Sequence, residues 1–263
     1  MKVTPTKRIF FINIWLIFTF VLINSYPVVS REQKKIKLKK YDGKNTIIFC
    51  FHDIDGEGKY SITSDEFTGI LDLLRGKYEV YSLKDWYEKV QSGYTFQRPP
   101  VVLTFDDGYE SIFSIVIPEL KRYSFGATFF IYLERYADSS IAYTEIAALP
   151  DIFEIGSHSL THADMEKLYK NNLNTFYKEI FLSRKKLEYL VGKPVISWAW
   201  PYGYYNKDLL LMAKRAGYEI QVNTDYKTTN DEFSESTFSR YTVQNPDPVD
   251  QVKEILAKNH LYR

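Results

Sequence analysis

Val101-Val102-Leu103-Thr104-Phe105-Asp106-Asp107-Gly108 is an apolar run that stops on two carboxylates and a glycine. A short run rich in β-branched residues reads as a buried strand. Asp-Gly then marks a tight turn, so both acids sit at the mouth of the strand rather than along it. Like charges held this close need a cation or a shared proton. Further on, Gly156-Ser157-His158-Ser159-Leu160-Thr161-His162 brings two imidazoles at i and i+4, a spacing that lets both reach one metal ion. Two adjacent acids and two histidines together point to metal-assisted hydrolysis.

Strand and helix signals alternate outward from this run. Thr46 to Phe51 reads as a strand. Thr63-x-x-Glu66 is a capping box that opens a helix to Arg75. Glu79 to Tyr81 is a short strand, and Ser82 caps a helix that ends near Gly93. Glu110 to Tyr123 reads as a helix kinked at Pro118. Ala127 to Leu133 is a strand, Thr144 to Leu149 a short helix, and Ile152 to Ile155 the strand that delivers the histidines. An amphipathic helix from Leu173 to Val191 stops at Gly192-Lys193-Pro194. Val195 to Trp200 is a strand ending at Pro201-Tyr202-Gly203, Lys207 to Ala216 a helix, Glu219 to Asn223 a strand, and Val249 to Lys258 the last helix. Repeated β-then-α units imply a parallel sheet with right-handed crossovers. The polar motifs all follow strands, which is the C-terminal face of a barrel.

The chain has 263 residues, 45% hydrophobic and 25% charged, which suits one good-sized globular domain. A formal net charge of +1 gives no global argument for nucleic acid. Cys50, the single cysteine, excludes an internal disulfide and sits in an apolar run as a buried thiol. At the N-terminus, Lys2, Lys7 and Arg8 precede an apolar run from Ile9 to Ile23, with Val28-Val29-Ser30 as a cleavage region. Residues 1–30 therefore read as a secretory signal or an uncleaved anchor, which places the protein outside the cell or on its surface. Arg31, Lys34, Lys35, Lys37, Lys39 and Lys40 oppose easy export of a bare anchor, although large domains translocate regardless. Residues 31–45 read as a basic linker; its sharper reading is an electrostatic tether to anionic lipid or wall polymer. Residues 46–263 form the domain.

His52 follows a strand and precedes Asp53, which places it at the same mouth as a general acid of tunable pKa. His260 reads as a surface residue of a terminal helix. No Gly-x-Ser-x-Gly elbow is present, so a serine triad is not expected.

Thr104-Phe105-Asp106-Asp107-Gly108, His158-Ser159-Leu160-Thr161-His162 and Pro201-Tyr202-Gly203 together resemble the polysaccharide deacetylases, the NodB-homology or carbohydrate esterase family 4 enzymes. The resemblance runs over residues 45–260 and implies a distorted (β/α) barrel. It implies Asp106 as catalytic base, Asp107, His158 and His162 as the metal-holding set, and the Tyr202 backbone N–H as oxyanion donor. The implied cofactor is a divalent metal, zinc foremost, with cobalt and nickel compatible with the same donors. The chain departs from the family pattern in three places. Ala199 stands where most members carry an arginine, flanked by Trp198 and Trp200, which are read with Pro201 and Gly203 as substrate-binding. The acid that supports the base has no clear match, leaving Asp225 and Arg240 as candidates. The late histidine that supplies the general acid is also missing. Phe51-His52-Asp53-Ile54 instead stands at the front, an order similar to the circularly permuted PgaB and IcaB-type deacetylases. That likeness implies N-deacetylation of an exported N-acetylglucosamine polymer, foremost poly-β-1,6-N-acetylglucosamine of biofilms, with His52 protonating the amine. Peptidoglycan, chitin or xylan, and an inactive sugar-binding domain, stand as alternatives.

Overall fold

The computed structural model describes residues 40–136, 140–229 and 237–259. The apolar N-terminal run, most of the basic linker and His260 lie outside the described residues. In chain order the elements are β1 (Ile47–Phe51), β2 (Asp53–Ile54), β3 (Ser61–Ile62), α1 (Ser64–Leu74), β4 (Glu79–Tyr81), α2 (Leu83–Gln91) and β5 (Pro100–Phe105). There follow α3 (Ile117–Tyr123), β6 (Ala127–Ile131), α4 (Ser140–Ala147), β7 (Phe153–Ser157), α5 (Met165–Asn171), α6 (Leu173–Tyr177), α7 (Ser183–Val191) and β8 (Ser197–Ala199). The last are α8 (Lys207–Arg215), β9 (Ile220–Asn223), β10 (Thr237–Ser239), β11 (Tyr241–Thr242) and α9 (Pro248–Lys258).

Nine strands form one sheet, in the order β10-β9-β8-β7-β6-β5-β1-β11, with β4 alongside the first half of β5. All of its pairings are parallel. β1, β5 and β6 are buried at every position, as expected of parallel strands covered on both faces. β10 and β11 are two halves of one extended stretch, interrupted at Arg240. The first half pairs with β9 and the second with β1, so this stretch joins the two edges of the sheet and closes the distorted (β/α) barrel. Phe51 and Phe105 stack at 5.1 Å inside the hydrophobic layer under α1, and Phe67 meets each edge-on at 5.8 Å.

Register then decides what meets at the rim. Cys50 pairs with Thr104 and Phe51 with Phe105, so the next residues, His52 and Asp106, emerge together. Parallel strands end on the same side, so Asp107, His158 and Pro201 leave β5, β7 and β8 at that same rim.

Two helices differ from their expected form. The segment after Tyr109 begins as a wide π turn over Ile112–Val116, and Pro118 falls at the second position of α3, where a missing N–H costs nothing. No kink is needed there. The helix expected over Leu173 to Val191 carries a π turn at Lys178–Leu182, which buries Glu179 and Ile180. Among the described residues no helix is long and apolar enough to cross a membrane.

The capping box is present as read: Thr63 Oγ1 accepts from the Glu66 N–H at 3.2 Å, and Glu66 accepts from the Thr63 N–H at 2.8 Å. Thr63→Ala removes one half of it and is expected to cost about 1 kcal/mol, seen as a fall in Tm of about 2–4 °C. Thermal unfolding followed by circular dichroism checks this, and an unchanged Tm contradicts it.

Candidate active site

Asp106 follows β5 and is buried, 3% exposed. Its two oxygens accept from both terminal nitrogens of Arg240, each at 2.7 Å. Arg240 is fully buried; its Nη1 also donates to Thr104 Oγ1 at 3.0 Å and its Nε to the Asn223 carbonyl at 3.1 Å. Burial alone would raise the Asp106 pKa, but the Arg240 guanidinium and the His158 and His52 rings together outweigh it and hold the carboxyl well below the usual carboxylate range. Ala199 offers no guanidinium; the one that meets Asp106 comes from the β10–β11 junction. Asp225, the other candidate, accepts from the Tyr205 hydroxyl at 2.6 Å in an exposed contact and has no part in supporting Asp106.

Asp107 adopts φ 69°, a left-handed conformation. Its Oδ1 is buried without a hydrogen-bond partner. His158 Nε2 lies 3.5 Å from this oxygen and His162 Nε2 3.3 Å from it. Donors bound at about 2.1 Å around a tetrahedral ion stand about 3.4 Å apart. The orphaned oxygen and the two imidazoles therefore have the spacing of a metal-holding set. His158 Nδ1 lies 2.9 Å from the Ala199 carbonyl, which only accepts, so Nδ1 carries the hydrogen and Nε2 is free to face a cation.

The electrostatics follow from burial and proximity. Burial would lower the His158 pKa, but the Asp106 and Asp107 carboxylates raise it above the ordinary value. Burial, then the neighbouring His158, pushes His162 down to about 4. The loop carrying both imidazoles is fixed by Glu179, which accepts from the N–H of Leu160 and Thr161 and from the Thr161 hydroxyl at 2.8–3.0 Å. Ser159 Oγ accepts from the His162 N–H at 2.9 Å. Asp107, Ser159, His162 and Tyr202 all take positive φ, 58–76°, so backbone strain concentrates at this rim.

His52 joins the cleft from β1. Its Nδ1 is buried with no hydrogen-bond partner, and its ring stacks on Tyr60 at 4.9 Å. Burial lowers its pKa, against the opposing pull of Asp106 and Asp107. Tyr202 is 59% exposed, with its ring 4.6 Å from that of His162. Pro201 is buried and starts the turn; Gly203 follows at φ 73°, where a Cβ would collide with Thr224 Oγ1.

Trp198 and Trp200 are corrections to the sequence reading. Both are buried, at 0% and 1% exposure, in the layer formed with Leu209, Met212 and Tyr218. Trp200 Nε1 donates to Gln221 at 3.2 Å. Neither offers a face to a sugar ring. Exposed rings near the mouth include Tyr60, Tyr202 and Tyr204. The contributions of Thr104, Asn223 and Glu179 were missed, because each acts through a fold contact that no local motif encodes. Arg240 did carry a signal: it is a lone charge inside Phe238-Ser239-Arg240-Tyr241-Thr242-Val243.

Residues 93–221 match the family model of the polysaccharide deacetylases. The poly-β-1,6-N-acetyl-D-glucosamine N-deacetylase of Staphylococcus aureus is 26% identical over 205 residues, covering 73% of this chain and 70% of the relative. Its namesake in Staphylococcus epidermidis is 24% identical over 275 aligned positions, covering 92% of this chain and 93% of the relative. Among solved structures, the deacetylase PplD of Streptococcus pyogenes superposes with a TM-score of 0.70 at 20% identity, covering 80% of this chain and 98% of that one. IcaB from Ammonifex degensii gives 0.69 at 19% identity, covering 81% and 97%. These two likenesses bear on the fold.

Arg240→Met leaves a buried carboxylate without its counter-ion. Denaturant unfolding near neutral pH is expected to show a loss of about 3–5 kcal/mol. The depressed native pKa of Asp106 stabilises the fold above its unfolded value and stops doing so as pH falls, so the deficit of the variant shrinks in acid. A loss well under 1 kcal/mol at neutral pH contradicts the assignment.

Proposed function

We propose that this chain, which carries a polysaccharide deacetylase domain, is a metal-dependent N-deacetylase of an exported N-acetylglucosamine polymer, foremost poly-β-1,6-N-acetylglucosamine. The namesake activity of the staphylococcal relatives supports the substrate. The observation that carries the chemistry is the unequal setting of two adjacent acids. One is saturated by a guanidinium, and the other keeps a bare oxygen between two imidazoles. The basic residues ahead of Ile9 to Ile23 support a secreted or membrane-anchored location.

Asp107, His158 and His162 would hold a divalent ion, zinc foremost, which supplies a Lewis acid for the acetamide carbonyl and lowers the pKa of water. Arg240 keeps Asp106 ionised, so this carboxylate is ready to take a proton from the attacking water. The water oxygen bonds to the carbonyl carbon, and the carbonyl electron pair moves onto oxygen. The Tyr202 N–H donates to that oxyanion, the position where a fixed dipole lowers the barrier most. His52 gives a proton to the nitrogen as the C–N bond breaks, leaving acetate and a free amine. Burial makes His52 a reluctant cation and hence a stronger acid when protonated. Tyr60, Tyr202 and Tyr204 offer exposed ring faces for the flanking sugars.

Asp106→Asn keeps the shape of the side chain and removes the base. Acetate release is expected to fall by about 10²–10⁴-fold while the bound metal, measured by elemental analysis, stays at the wild-type level. Undiminished acetate release rules out Asp106 as base.

A further inference from the structure

A buried thiol adjoins the cleft and has no part in the reaction above. Cys50 is the chain's single cysteine and has no exposed surface. Its Sγ donates to Asp106 Oδ2 at 3.4 Å. Cys50 lies in β1 and His52 stands just past the end of that strand, two positions on. Cys50, His52 and Asp106 each offer a donor atom, and these lie within 4.8 Å of one another. The geometry points to a second cation site, in which a thiophilic divalent ion binds Cys50 Sγ, His52 and Asp106 Oδ2 and stops the enzyme.

The sulfur-to-oxygen spacing is in place. Sulfur bound at about 2.3 Å and oxygen at about 2.1 Å to one tetrahedral ion stand about 3.6 Å apart. The observed separation is 3.4 Å. A cation takes the Oδ2 lone pair that the S–H now uses, the thiol releases its proton to solvent, and the sulfur lone pair completes the bond. The other Asp106 lone pairs stay with Arg240. His52 closes the set by turning inward, which breaks no hydrogen bond at its buried Nδ1.

The same surroundings set affinity and selectivity. A thiolate with an imidazole selects zinc or cadmium and rejects magnesium and calcium. Arg240 repels a second cation, so this site fills after the one at Asp107, His158 and His162. The inhibitory consequence rests on the catalytic roles proposed for Asp106 and His52, because the ion occupies the proton acceptor and the proton donor together. The binding claim itself does not depend on those roles.

The test is a titration of the metal-free full chain with Cd²⁺ or Co²⁺, following thiolate-to-metal charge-transfer absorption in the near ultraviolet. A single cysteine makes that band unambiguous. The first equivalent is expected to give no thiolate band and to support acetate release. The second is expected to raise the band and suppress acetate release in parallel. Cys50→Ala is expected to abolish the band and to raise the inhibitory zinc concentration by about tenfold or more. His158→Ala, which disrupts the other site, is expected to keep the band. If Cys50→Ala fails to fold, His52→Ala carries the test through an affinity for Cd²⁺ about tenfold weaker by the same band. Absence of a thiolate band in the wild type at saturating Cd²⁺ overturns the site, as does unchanged zinc inhibition in folded Cys50→Ala. A band together with no acetate release at any metal stoichiometry, in the wild type and in folded Cys50→Ala alike, upholds the site and refutes the deacetylase reading.

Discussion

The bidentate pair between Arg240 and Asp106 is the constraint on which the rest depends. Arg240 stands between the two halves of the strand that closes the barrel, and Asp106 stands at the end of β5. Their contact therefore ties the seam of the sheet to the reacting rim. A buried ion pair repays its desolvation only when the remaining donors and lone pairs are also satisfied. Here they largely are: Arg240 serves Asp106 twice, Thr104 once and the Asn223 carbonyl once. Thr104 in turn donates to the Phe49 carbonyl at 2.8 Å, so the network reaches into β1. Closing the fold and keeping Asp106 ionised are one interaction.

That arrangement separates the duties of two neighbours in sequence. Asp106 takes both bonds from Arg240, while the left-handed Asp107 faces His158 and His162, and Gly108 continues the turn at φ 71°. The strain of such residues persists only where surroundings over-determine them. The surroundings do so here: the Asp106 N–H donates to the Phe51 carbonyl at 2.9 Å, and the Tyr136 hydroxyl donates to the Gly108 carbonyl. On the opposite wall, Glu179 and the Ala199 carbonyl orient the imidazoles without entering the cleft. The rim leaves one oxygen and two ring nitrogens converging at 3.3–3.5 Å, the spacing of a metal-holding set.

The sequence made much of this legible because its chemistry is local. An apolar run ending in Asp-Asp-Gly states a strand, a turn and two acids within eight residues, and His-x-x-x-His states its own spacing. The helix capped by Thr63 and the strand ahead of His52 were readable for the same reason. What stayed hidden depends on distant pairing. β10 and β11 are three and two residues long, too short for any period to register. Arg240 acquires its meaning from Asp106, 134 positions away. Trp198 and Trp200 misled because an aromatic beside a site motif looks alike whether it faces sugar or core, and only the packing against Tyr218, at 5.0 Å from Trp198, decides it.

The central claim is that the cleft hydrolyses an acetamide with the help of an ion held by Asp107, His158 and His162. The most direct measurement is acetate released from poly-β-1,6-N-acetylglucosamine by the full chain, first stripped with chelator and then reloaded with one equivalent of zinc or cobalt. The account expects no acetate from the stripped protein and recovery on reloading. Acetate release that survives complete removal of metal, or none in any metal state, contradicts it.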